Sequence, residues 1–150
     1  MNMMPKTGEF AELEENYREL LSWCSVLEAI ADFLPCRIDE RVCERICSHL
    51  LPVLERTQAL EERLVFPRME SSLGDENATD AIARRRNDHH RDRNAAEEIV
   101  VTLCELKAGG SRLSWDSIGY MLRSFFCCMR RHIAAEQEML GMLKNAKLAQ

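Results

Sequence analysis

Between Ile118 and Leu143 the chain reads IGYMLRSFFCCMRRHIAAEQEMLGML. A position every three or four residues marks one face: Ile118, Leu122, Phe125, Met129, His132, Glu136, Met139 and Leu143. Apolar side chains at that spacing form the buried stripe of a long amphipathic helix. His132 and Glu136 break the stripe with groups that do not belong in a dry core unless they are paired or ligating.

Three more segments carry the same pattern. The first gives Phe10, Leu13, Tyr17, Leu20, Cys24, Leu27, Ala31 and Leu34. The second gives Cys47, Leu51, Leu54, Gln58, Glu61, Val65 and Met69, with Glu62 flanking. The third gives Ile82, Arg85, His89, Asp92, Ala96, Ile99, Leu103 and Leu106. Short breaks at Pro35, Gly74 and Gly109-Gly110 force neighbouring helices to run antiparallel. The expected fold is all-α, an up-down-up-down antiparallel four-helix bundle. It fills residues 1–150 as one domain, with helices over about 8–34, 39–70, 76–108 and 114–146. Thr7, Asp39 and Ser114 are suited to cap three of the helices. Pro52 lies inside the second helix and is expected to kink or divide it near Ser48.

The polar interruptions fall at one height. Reflecting Tyr17 through the first connection lands near Gln58. Reflecting Gln58 through the second lands near His89, and reflecting His89 through the third lands near His132. At a rise of about 1.5 Å per residue these offsets agree to within roughly one turn. Arg85, one turn before His89, falls level with Glu136. An Arg85–Glu136 ion pair is therefore expected in the layer, with Glu61, Glu62 and Asp92 as competitors for the guanidinium.

Composition narrows the function. The net charge is −5 over 150 residues. The one basic cluster, around Arg84-Arg85-Arg86, is interleaved with Asp88 and Asp92, so no nucleic-acid partner is expected. No apolar run approaches the ~18 residues of a membrane span. The N-terminal residues lack a signal peptide's pattern, which points to the cytoplasm. Seven cysteines without a C-x-x-C suggest reduced, mostly buried thiols. Cys43 with Cys47, and Cys127 with Cys128, are the pairs open to a redox role.

Several stretches carry a family likeness. His132-Ile133-Ala134-Ala135-Glu136-Gln137-Glu138 resembles the H-I-x-x-E-x-E signature of hemerythrin-like, HHE cation-binding domains. Glu61-Glu62-Arg63-Leu64-Val65-Phe66-Pro67 is similar to that family's E-E-x-x-x-F-P turn, and His89 with Asp92 and Ala96-Glu97-Glu98 follows in order. The resemblance implies a bundle whose core holds a non-haem di-iron centre, used for oxygen carriage, iron handling or redox and gas sensing. Carried over residue by residue, it makes Glu62, His89, His132 and Glu136 the metal-ligand candidates. It also exposes departures. Tyr17 stands where the first helix should offer histidine, Gln58 replaces the second helix's histidine, Arg93 replaces a further one, and Arg85 is added.

Each candidate has a plainer reading. His132 with Glu136, and His89, serve equally as hydrogen-bonded core groups, and Glu62 as a seam-edge carboxylate reaching water. Tyr17 is either a phenolate ligand or a core tyrosine, and Gln58 is a hydrogen-bond bridge. A ferritin-type oxidase needs E-x-x-H on two helices, and no histidine here has glutamate three residues before it. The expectation is a non-enzymatic, degenerate hemerythrin-like bundle. It acts as a small regulatory or interaction protein with a protein partner, its di-iron site lost or weakened and no cofactor expected. The alternative is a non-haem iron sensor of oxygen, nitric oxide or redox state, holding one or two ions with a reduced ligand set.

Overall fold

The computed structural model describes residues 7–148, with side chains over 8–145 apart from Asp75. Thr7, expected as a cap, falls outside the described side chains. The described residues form helices α1 (Thr7–Phe33), α2 (Glu40–Leu60), α3 (Phe66–Leu73), α4 (Asp75–Lys107) and α5 (Trp115–Leu148). A π-helical turn over Glu61–Val65 joins α2 to α3, so the two act as one long second helix. Helix α1 packs on α2 and α5, and α4 packs on α2, α3 and α5. The four long rods thus close a ring around one core, with α1 diagonal to α4. Connections this short make each neighbour antiparallel.

The ends follow local chemistry. Asp39 caps α2, its carboxylate accepting from the Arg41 N–H at 2.7 Å. Ser114 Oγ accepts from the Ser117 N–H at 3.1 Å at the start of α5. Gly109 takes a φ of 121° after α4, a left-handed backbone that favours glycine.

Helix α2 runs unbroken through Pro52, against the expected division. Proline removes the partner of the Ser48 carbonyl, four residues back. Ser48 and Pro52 both lie on the exposed face, where water can serve that carbonyl instead. The irregularity comes later, ahead of Pro67. There the Phe66 N–H bonds to the Glu61 carbonyl, five residues back.

The core is built from Leu13, Leu20, Leu27, Ile46, Leu50, Leu54, Ile99, Leu103, Ile118 and Leu122, with the other buried apolar residues around them. On α2 the buried face is Cys43, Ile46, Leu50, Val53, Leu54 and Thr57, whereas Cys47 and Leu51 are only half-buried. The expected stripe is therefore one position out of phase in this half. On α5 Glu136 is buried as read, but Ile133 and Leu140 are buried beside it while the expected His132 and Met139 are only half-buried. No helix among the described residues is long and apolar enough to cross a membrane.

The cysteine contacts differ from the expected pairs. Cys47 Sγ lies 3.3 Å from Cys104 Sγ on α4, and Cys128 Sγ lies 3.5 Å from His132 Nε2. Cys127 is exposed.

This apolar core extends above and below the polar layer, so the fold is expected to stand without metal. Protein treated with a chelator should keep its helical circular dichroism and melt cooperatively. Leu122→Ala should lower unfolding free energy by about 2–5 kcal/mol in denaturant titration. A non-cooperative melt of the chelated protein would contradict this account.

Candidate metal centre

One cavity of about 350 Å³ opens in the middle of the bundle, and Tyr17, Gln58, Arg85, His89, His132 and Glu136 all line it. Glu61 and Asp92 line it as well. Glu62 does not. Its side chain is 47 % exposed, outside the layer to which the family resemblance assigned it.

The π turn explains how Glu61 and Glu62 divide their work. Successive residues of a regular helix point about 100° apart, and the extra residue in this turn widens the helix locally. His89 sits between the two carboxylates. Its Nε2 lies 3.6 Å from Glu61 Oε1 and its Nδ1 lies 3.3 Å from Glu62 Oε1. Phe66, just past the turn, stacks on the imidazole at 5.7 Å. Burial pulls the His89 pKa down, but the two glutamates outweigh it and the net shift is upward.

Gln58 reaches the same turn of α4. Its Nε2 donates to the backbone carbonyl of His89 at 2.9 Å, so it braces the helix rather than bridging side chains.

The other imidazole faces a different partner. His132 Nδ1 lies 2.7 Å from Asp92 Oδ2, and Cys128 contacts its far nitrogen. The bond to Asp92 raises the His132 pKa, against burial, with Asp88 adding to the rise. Glu136, one turn beyond His132, is instead in ion-pair contact with Arg85. Burial lowers the Arg85 pKa, opposed by Glu61 nearby. The Tyr17 hydroxyl is buried with no hydrogen-bond partner among the described residues, as is Glu136 Oε2. Burial, and then the Glu61 carboxylate, push the Tyr17 pKa well above the usual phenol range. A buried, unpaired polar atom costs about 1–3 kcal/mol. The cavity has room for several waters at about 30 Å³ each, which would meet both groups.

Two irons need several imidazoles and a bridging carboxylate converging at one height. As arranged, these residues do not fit that demand. A guanidinium engages Glu136, a protonated phenol and an amide stand at two histidine positions, and the imidazoles turn to separate carboxylates. A different donor group is present instead: Asp92, Cys128 and His132 each offer a ligand atom within 4.8 Å of the others. Asp92 was legible as a seam position. Its pairing with His132, and the part of Cys128, depend on side-chain rotations that spacing does not encode.

The raised histidines set a pH dependence for metal-free protein. An unfolded histidine titrates near pH 6.5. A folded-state pKa above that value stabilises the fold fully below about pH 6.5, and the gain is lost as pH rises through the folded pKa. The melting temperature of chelated protein should fall between about pH 6 and pH 8, and His132→Gln should flatten that slope. A melting temperature that stays level or climbs over this interval would contradict the assignment.

The model of the hemerythrin HHE cation binding domain matches residues 9–143. No curated protein and no solved structure matches the chain. The match spans all four long helices and both halves of the polar layer, and the chain therefore belongs to the hemerythrin HHE cation-binding family.

Proposed function

We propose that this chain is a hemerythrin-family bundle that has given up its two-iron centre and works as a small cytoplasmic regulatory or interaction protein, not an enzyme. The observation that carries the reading is the Arg85–Glu136 contact inside the layer. A guanidinium there repels cations and satisfies the carboxylate that a metal would bridge. Tyr17 and Gln58, at the two missing histidine positions, point the same way. The bundle keeps its shape through its apolar core, so it serves as a scaffold for a protein partner whether or not the layer binds iron.

The reduced iron sensor is the second reading, favoured by one observation. His89 and His132 are each held by carboxylates, the arrangement that orients metal-binding imidazoles. Metal analysis separates the two. After purification without oxygen and with ferrous iron supplied, the native chain should hold well under one iron. Two irons per chain, with visible charge-transfer bands in air, would overturn the scaffold reading and establish the sensor.

Restoring the layer should restore the metal. Tyr17→His with Gln58→His and Arg85→Leu should tighten iron binding by more than about tenfold, since even changes around a ligand move affinity that far. Arg85→Leu alone should destabilise the fold by about 3 kcal/mol, because it leaves Glu136 buried without a counter-charge. The loss should be smaller at pH 5, where that carboxyl more readily takes a proton. A folded triple variant that binds no more iron than the native chain would remove the geometric basis of this proposal.

A further inference from the structure

Helix α5 carries a donor pair of which the two-iron reading uses only the histidine and leaves the thiol, Cys128, unused. Cys128 and His132 are four residues apart and so share a face. Cys128 Sγ lies 3.5 Å from His132 Nε2. Around a tetrahedral zinc ion, with Zn–S near 2.3 Å and Zn–N near 2.0 Å, those two donors stand about 3.5 Å apart. The ring is already oriented for this. Asp92 on α4 takes the hydrogen bond from Nδ1 at 2.7 Å, which leaves the Nε2 lone pair facing the thiol. A carboxylate behind a ligating imidazole is the common outer arrangement of zinc sites. Access is open, since His132 is 33 % exposed. Near both donors the negative charge of Asp88 is set against the Arg131 guanidinium, which also hydrogen-bonds the Cys128 thiol and must give way to an ion.

We propose that Cys128 and His132 bind a single thiophilic divalent cation of the zinc type, with Asp92 holding the imidazole and waters completing the coordination. Thiolate and imidazole together select zinc over ferrous iron, in line with the general affinity order. Binding releases the thiol proton and involves no change of oxidation state. The ion would tie α5 to α4 through the His132–Asp92 bond. This site needs neither Glu136 nor Glu62, but it takes His132, so an ion here and an iron held by that histidine exclude one another.

Cobalt(II) titration of the reduced, full-length chain tests the proposal, because cobalt reports a bound thiolate by near-ultraviolet charge-transfer absorption. One cobalt per chain is expected, with that band present and zinc displacing it. Cys128→Ser should abolish the band and weaken zinc binding by more than about 100-fold, beyond the 10–100-fold expected for Asp92→Asn at the outer position. Cys127→Ser should change neither. On the unaltered protein, zinc should slow alkylation of Cys128, read by mass spectrometry, while Cys127 reacts at its former rate. The proposal is overturned if no cobalt binds. It is equally overturned if the band survives Cys128→Ser, if Cys47→Ser removes it and so moves the thiolate to the Cys47–Cys104 contact, or if zinc leaves Cys128 alkylation unchanged.

Discussion

The contact between Arg85 and Glu136 sets the terms for the middle of this bundle. A charge withdrawn from water is tolerated only when an opposite charge or a metal replaces the lost hydration. Once the guanidinium is present, Glu136 is committed to it, and the neighbouring groups find other partners. His132 turns to Asp92, His89 to the glutamates of the π turn, and Gln58 to a backbone carbonyl. The layer therefore separates into local pairs around a cavity instead of converging on one point. The apolar residues above and below are indifferent to this, so the family architecture does not depend on how the layer is paired.

Much of that architecture is written in apolar spacing. The stripe through Leu13, Leu20, Cys24 and Leu27 is buried as read, as are Ile99, Leu103, Ile118 and Leu122, because α1, α4 and α5 are regular over those spans. The second helix is where periodicity misleads. Leu54, Gln58, Glu61, Val65 and Met69 are buried as read on both sides of the π turn, so the turn does not cost the phase. The miss lies upstream, where Ile46 and Leu50 take the core in place of their neighbours Cys47 and Leu51. Each pair is apolar at both positions, and spacing alone does not choose between them.

The site was legible to the level of which residues share a height, and no further. Tyr17, Gln58, Arg85, His89, His132 and Glu136 do line one cavity, because height depends on rise per residue and loop position. Which atom meets which depends on rotamers. Glu61 is buried and Glu62 flanks, as the spacing has it and the family resemblance does not, while Cys128, flanking the stripe, acquires a histidine neighbour. The contact of Cys47 with Cys104 spans 57 residues and joins two helices, so pairing cysteines by closeness along the chain could not find it.

The π turn also makes the second helix tolerant of a shortening that the others are not. An added residue inside a helix is structurally an insertion that the surrounding contacts have absorbed. Removing one residue between Glu61 and Val65 would return a plain α-helix while Phe66 keeps its place against His89 and Met69 its place in the core. The same deletion in a regular helix turns everything beyond it by about 100°. What the shortening would change is local: the splay that sets Glu61 and Glu62 on either side of His89.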